Sequence, residues 1–323
     1  MEQKKVGFGI IGLGLISNRF ASVLNTCDRA RLAAVAARSQ ERADAFAKEH
    51  QAEKAYGSYQ ELMEDPAVDI VYIGLTHNFH YEVAKQCILH GKAVLCEKPF
   101  FLTKAEAEEV ISLARENKVL LMEAMWTRCL PVTLKTKEWI RQGKIGSVKY
   151  MDAQFSFHVK YDLKNRLYNP DLAGGALYDA GVYPLEYATG IMERLPVAMQ
   201  SMHTSTPNGL DSFDVITMQF ADGAIASLVC GISLNTNLDA GIYGPDGHII
   251  VRDFIRGKQC ELYDDENNLI ETFTETAEDG FIYQIEHIID LYRSGKLESP
   301  YIPHKDTIDC AGLFDQLQAD WSK

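Results

Sequence analysis

Apolar positions in the first 124 residues come as short unbroken runs separated by stretches with helical spacing. Val6-Gly7-Phe8-Gly9-Ile10-Ile11 has the pattern of a buried strand, and the amphipathic stretch from Asn18 to Asn25 predicts a helix after it. Arg31 to Ala37 is a second short apolar strand, followed by helices over Gln40 to His50 and Tyr59 to Glu64. Asp69 to Leu75 and Ala93 to Cys96 are further strands, with a helix between them that runs to His90. Thr103, with Glu106 three residues on, has the form of a capping box opening another helix. Val119 to Glu123 closes the series, so five strands alternate with helices and imply a mostly parallel sheet.

From Trp126 onward the pattern changes. Val132 to Gln142 predicts a helix, Gly143 to Gly146 a turn, and Val148 to Val159 alternates like a long strand. Strands follow at Val197 to His203, Phe213 to Phe220, Ala224 to Ile232, Ala240 to Tyr243, His248 to Val251 and Gln259 to Tyr263. Asp222-Gly223 and Pro245-Asp246-Gly247 are hairpin signals between them, so this sheet is largely antiparallel. Gly280 to Ser294 and Thr307 to Trp321 predict helices that cover a face or return to the first domain. The division falls near residue 124, giving domains over 1–124 and 125–323.

Composition narrows the class without changing this picture. The 323 residues are 46% hydrophobic and 24% charged, the balance of an ordinary globular protein. A net charge of −13 with no Lys/Arg cluster argues against a nucleic-acid partner. No apolar run approaches the roughly 20 residues of a membrane span, and the glycines within the first run argue against a signal peptide. Seven scattered cysteines, never at Cys-x-x-Cys spacing, suit a reducing cytoplasm better than a disulfide framework or structural zinc site.

The chemistry begins at Gly12-Leu13-Gly14-Leu15-Ile16-Ser17, placed between the first strand and the first helix. In that setting Gly-x-Gly points to dinucleotide binding: Gly12 makes the turn, and Gly14 lets a pyrophosphate approach the backbone at the helix N-terminus. Ser17 stands where a third Gly or Ala is usual, and is still small enough for close helix–strand packing. The second strand ends in Ala37-Arg38-Ser39, with Arg42 a turn later and no acid at its tip. An acid there would take the 2′-hydroxyl of NAD; Arg38 and Ser39 favour the 2′-phosphate of NADP, with NAD the alternative. The competing reading makes Ser39 only a helix N-cap.

Thr76-His77-Asn78-Phe79-His80, at the next strand tip, is expected against the cofactor rather than around a metal, since His77 and His80 have no acidic or Cys partner nearby. Glu97-Lys98-Pro99 ends the following strand, where open α/β sheets bind ligands, although Lys98 equally suits a surface lysine. In Gly174-Gly175-Ala176-Leu177-Tyr178-Asp179-Ala180-Gly181-Val182-Tyr183, Asp179 and Tyr183 are four apart on one helix face. An acid and a phenol so aligned can serve a proton transfer if a cation such as Lys98 assists the tyrosine. They can equally be a helix charge and a core residue.

These segments together resemble the glucose-fructose oxidoreductase / inositol dehydrogenase / rhizopine catabolism (Gfo/Idh/MocA) family over nearly the whole chain. The resemblance is carried by Gly12-x-Gly14, Ala37-Arg38-Ser39, Tyr56-Gly57-Ser58-Tyr59, Glu97-Lys98-Pro99 and Gly174-Gly175-x-x-x-Asp179-x-Gly181-x-Tyr183. Tyrosine at position 183, where much of the family has histidine, together with Glu123 to Arg128, looks like the branch of dimeric dihydrodiol and NADP-dependent xylose dehydrogenases. Thr76-His77-Asn78 departs from the commoner Thr-Pro-Asn.

The resemblance implies a Rossmann domain followed by an open-faced, largely antiparallel sheet that forms a homodimer. It also implies hydride transfer between NADP or NAD and the CH–OH or C=O of a small sugar, polyol or cyclic diol, without metal. Carried over to this chain, Lys98 would polarise the reacting oxygen, Tyr183 would be the general acid/base and Asp179 would position the substrate. Trp126 and Phe155 would wall the pocket. The cofactor would lie against Gly12, Gly14, Leu15, Ile16, Arg38, Ser39, Arg42, Thr76, His77, Asn78, His80, Glu97 and Lys98. The alternative is a non-catalytic dinucleotide-binding redox sensor, which would need neither Lys98, Asp179 nor Tyr183.

Overall fold

A computed structural model describes residues 4–322. The chain forms two compact units, Met1–Ala124 with Phe281–Ala311, and Met125–Gly280 with Gly312–Lys323. In the first unit, strands β1 (Val6–Ile11), β2 (Ala30–Ala36), β3 (Lys54–Tyr56), β4 (Ile70–Ile73), β5 (Ala93–Cys96) and β6 (Leu121–Glu123) make one sheet. Its order is β3-β2-β1-β4-β5-β6 and every pairing is parallel, the Rossmann arrangement. The sheet has six strands rather than the expected five. The extra one, β3, is three residues long, lies at an edge and has no fully buried position, so it leaves no apolar run in the sequence.

Helices α1 (Leu15–Leu24), α2 (Gln40–His50), α3 (Tyr59–Glu64), α4 (His80–Leu89) and α5 (Lys104–Glu116) connect these strands. β1, β4 and β5 are buried at every residue, which explains their continuous apolar runs. The Thr103 side chain accepts from the Glu106 N–H, as the capping pattern predicts. The Glu106 carboxylate, however, accepts from the Leu102 N–H at 3.1 Å, one residue before the cap.

In the second unit, α6 (Pro131–Arg141) precedes β7 (Tyr150–Ser156), and α7 (Val182–Met192) precedes the remaining strands. These are β8 (Ala198–Ser205), β9 (Asp211–Gln219), β10 (Ile225–Gly231), β11 (Ala240–Gly244), β12 (Gly247–Arg252), β13 (Gln259–Asp264) and β14 (Leu269–Thr274). The order is β14-β13-β12-β11-β7-β10-β9-β8, antiparallel except where β7 meets β10. Strand β14 was not expected; it is an edge strand whose residues are nearly all exposed, so it carries no burial pattern.

Two further helices, α8 (Phe281–Arg293) and α9 (His304–Trp321), end the chain. The expected second domain over 125–323 needs correction here, because Phe281–Ala311 belongs to the first unit. The apolar face of α8 buries Phe281, Ile285, Ile288 and Ile289, and the Arg19 guanidinium of α1 lies 4.0 Å from the Phe281 ring centroid. Beyond α8, His304 Nε2 lies 2.9 Å from the Leu121 carbonyl oxygen and the Thr307 hydroxyl donates to Glu123 at 2.8 Å.

Candidate active site

The first unit presents a cavity of about 240 Å³ at the carboxyl ends of its strands, lined among others by Gly12, Gly14, Arg38, Arg42, Tyr59 and Thr76. It lies where the strand order reverses between β1 and β4, the place at which such sheets bind ligands. The two glycines play different parts. Gly12 has φ +89°, and a Cβ there would sit 2.7 Å from Leu75, so the fold itself requires glycine. Gly14 has nothing within 4 Å of a built Cβ and is the uncapped N-cap of α1. Open space over backbone N–H groups, with no acid in the first helical turn, fits a pyrophosphate. Ser17 is fully buried and its hydroxyl donates to the Gly12 carbonyl at 2.5 Å, so the departure from a third glycine stitches the turn to α1.

Leu15 is 93% exposed at the mouth of this turn, and Ile16 is half-buried. Arg38 is exposed, its guanidinium 6.0 Å from the Phe79 ring centroid, and Arg42 donates to the Leu13 carbonyl at 3.4 Å. Ser39 accepts from the Arg42 N–H at 3.5 Å as the N-cap of α2. Tyr59 and Phe79 also line the cavity and were missed. They are aromatic rings inside stretches that read as helix and loop, and only the fold brings them beside Arg38. The Thr76 hydroxyl donates to the Asn78 side chain at 2.8 Å within the turn that holds His77, which is buried.

Two of the expected cofactor residues are buried and engaged inside the first unit. His80 is fully buried, with Nδ1 2.9 Å from the Pro99 carbonyl oxygen and Nε2 3.1 Å from that of Leu75. Burial lowers its pKa, and its ring offers no surface to a ligand. It braces the chain after β4 against the chain after β5. Glu97 is buried too and accepts from the Tyr72 hydroxyl at 2.6 Å; burial raises its pKa. Lys98, next to it, is half-buried and joined to Pro99 by a cis peptide bond.

In the second unit the structure gathers Trp126, Phe155, Asp179 and Tyr183. Tyr183 is buried in the first turn of α7, and the Trp126 indole N–H donates to its hydroxyl oxygen at 3.3 Å. The Phe155 ring, from β7, meets it edge-on with centroids 5.0 Å apart. Asp179 lies one turn earlier, in residues 177–181, which wind as a π-helix: the Val182 N–H reaches back five residues to the Leu177 carbonyl. Four residues remain close to one turn in this winding, so Asp179 and Tyr183 stay neighbours along the helix. Asp179 accepts from Arg166 Nη2 at 2.7 Å. In this unit Arg166 is a further residue that sequence reasoning missed. It stands in the loop between β7 and the π-helical turn, where a charge in a polar loop has no distinguishing pattern.

The Tyr183 phenol thus lies between an indole N–H donor and the edge of a second aromatic ring. Among the described residues, no group of three or more His, Cys, Asp or Glu side chains could hold a metal ion.

Comparison with known proteins agrees with the fold of both units. The model of the oxidoreductase family with NAD-binding Rossmann fold, Gfo/Idh/MocA, matches residues 6–125. The model of the Gfo/Idh/MocA C-terminal domain matches residues 133–250. The chain is 31% identical over 327 residues to human trans-1,2-dihydrobenzene-1,2-diol dehydrogenase, covering 96% of this chain and 95% of that protein. The Xenopus laevis protein of the same name is 32% identical over 320 residues, with 96% of each chain covered. Among solved structures, aldose-aldose oxidoreductase from Caulobacter crescentus, complexed with glycerol, aligns with TM-score 0.89 at 22% identity, over 99% of this chain and 98% of that one. A 3-ketoreductase from Actinomadura kijaniata, in complex with NADP and TDP-benzene, aligns with TM-score 0.87 at 24% identity over 98% of both chains.

Proposed function

The chain belongs to the Gfo/Idh/MocA family of NAD-binding oxidoreductases, and from that premise we propose that it moves a hydride between NADP and a carbon of a small sugar, polyol or cyclic diol. The observation that carries the reading is the Tyr183 hydroxyl, buried between Trp126 and Phe155 and next on its helix to Asp179. The dihydrodiol dehydrogenases at 31–32% identity support an alcohol or diol as substrate. The retained Tyr183, Asp179 and Lys98 favour an enzyme over a redox sensor.

When bound, the dinucleotide supplies the hydride acceptor, and the protein handles the proton. In oxidation Tyr183, as the tyrosinate, would take the proton of the substrate hydroxyl and become the phenol while the C–H bond gives up its hydride and the C–O bond becomes a carbonyl; in reduction the phenol would give that proton back. The Trp126 N–H donates to the phenolic oxygen, a bond that is stronger to the tyrosinate than to the phenol and so favours the form that accepts the proton. Asp179 would hold a neighbouring substrate hydroxyl and Arg166 fixes the Asp179 carboxylate, while an assisting charge from Lys98 is what the family resemblance implies. Gly14 and the N-terminus of α1 would hold the pyrophosphate, and Arg38 with Arg42 would hold the 2′-phosphate.

The test is Tyr183→Phe, assayed against a panel of aldoses, polyols and cyclic diols with NADPH titrated in parallel. A positioned acid/base group supplies about 10²–10⁴-fold, so turnover falls by that order while NADPH affinity stays within about twofold. Wild-type turnover in the variant overturns the assignment.

A further inference from the structure

Beneath the turn that carries Asp179 lies a second pair of acids which the proposed mechanism does not use. Asp211 and Asp214 both stand on β9, three residues apart, a spacing that puts two side chains on opposite faces of a regular strand. The ladder to β8 slips here: Thr204 pairs with Phe213 and Ser205 with Asp211, so Ser212 is an extra residue. That bulge turns Asp211 to the face of Asp214, the kind of re-aiming that bulges supply near functional sites.

Asp211 is 6% exposed and Asp214 fully buried. Asp211 Oδ2 accepts the Leu177 N–H at 2.5 Å, and the adjacent Ala176 N–H also favours the charged form of this carboxylate. These are the first donors of the helical segment that leads through Asp179 to Tyr183. Gly175, at φ +115°, makes room for the carboxylate: a Cβ there would lie 2.3 Å from Asp211 Oδ1. Asp214 Oδ2 accepts from the Cys230 thiol at 3.2 Å, and the same sulfur packs under Gly181, where a Cβ would come within 2.9 Å of it. One connected set of groups thus touches both ends of the π-helical turn.

The bulge sets the two carboxyls on one face, close enough for Asp211 to raise the pKa of Asp214, and Asp214 Oδ1 is buried with no hydrogen-bond partner. Among the described residues neither acid is in an ion pair with Lys, Arg or His. Two adjacent carboxylates in such surroundings cannot both ionise. Burial, then the neighbouring Asp211, holds the Asp214 carboxyl well above the usual carboxylate range. One proton held by the pair gives the orphan Asp214 oxygen a role as donor and leaves a single negative charge, with Asp211 Oδ2 accepting the Leu177 N–H.

We propose that Asp211 and Asp214 share one proton and act as the positioning pair of the proton-transfer site, fixing the turn that sets Asp179 and Tyr183. This rests on the reading of Tyr183 as the general acid/base. Neither acid touches substrate; both act through the backbone of Ala176 and Leu177. Small displacements of a reacting group cost catalysis out of proportion, about 10²-fold for 1 Å.

The experiment compares Asp211→Ala, Asp214→Leu, Asp214→Asn and Gly175→Ala with the wild-type protein and with Tyr183→Phe. Turnover on one substrate, NADPH affinity and thermal midpoint are measured for each. Asn at position 214 can still donate to Asp211 and cannot ionise, so Asp214→Asn keeps kcat within about threefold, while Asp214→Leu and Asp211→Ala lose about tenfold or more with NADPH affinity unchanged. Gly175→Ala, which pushes on the Asp211 carboxylate, lowers kcat in the same way. The inference is overturned if kcat per folded molecule is unchanged in Asp211→Ala, or is the same in Asp214→Leu and Asp214→Asn. If Asp211→Ala does not fold, the comparison of Asn with Leu at position 214 decides alone. Full activity in Tyr183→Phe brings down the parent reading. An inactive Tyr183→Phe beside an active Asp211→Ala brings down only this one.

Discussion

At the scale of single residues, identical amino acids carry different meanings that only their surroundings separate. Gly12 and Gly14 read alike in the sequence, yet one is required by a left-handed backbone and the other leaves open space. His80 and Glu97 sit in motif segments as expected, but their side chains turn inward to Leu75, Pro99 and Tyr72. A motif places a backbone, whereas the direction of a side chain depends on which neighbours offer partners. Arg38 shows the opposite case, since a strand-tip arginine with no acid beside it was legible, and it does line the cavity. Arg38→Ala is expected to weaken NADPH binding by about 1.5–3 kcal/mol, the range of a hydrogen bond to a charged group. NADH binding should change by less than a third of that. Fluorescence titration of both cofactors checks it, and equal losses would mean that the guanidinium contacts only the adenine.

At the scale of elements, long periodic segments were legible and short or irregular ones were not. α2 and β5 have the predicted bounds, because a helical stripe and an unbroken apolar run are local signals. The π-helical turn over Leu177–Gly181 has no such signal; Pro184, which lacks an N–H, and the underlying Asp211 both favour an altered winding there. The helix that follows, α7, carries a buried ion pair, Arg128 Nη1 to Glu186 at 2.7 Å with side chains 5% and 0% exposed, which ties it to the turn of Trp126. Arg128→Met leaves the Glu186 charge buried without this partner and is expected to cost about 3–5 kcal/mol, read as a lower urea midpoint. Adding Glu186→Gln should return part of it, as the stranded charge is then gone. A single variant with wild-type stability would show that the pair contributes nothing.

At the scale of the whole molecule, we propose a homodimer formed through the sheet of the second unit. Tyr150, Tyr243, His248 and Tyr263 stack side by side across β7, β11, β12 and β13, a half-exposed aromatic stripe of the kind that stable interfaces cover. Light scattering should give twice the 36.2 kDa chain mass, and Tyr243→Arg should shift it to the single chain with the fold intact. A monomeric wild type would remove the proposal. The sequence by itself determined the alternating α/β half, the antiparallel half, the glycine turn and the Lys98 and Tyr183 segments, because periodicity and turn chemistry are properties of neighbouring residues. The tertiary structure alone decided that Phe281–Ala311 joins the first unit, that Arg166 reaches Asp179, and that Asp211 and Asp214 meet under the turn of Tyr183. Those outcomes depend on contacts between residues far apart in the chain, which burial selects and no local pattern records.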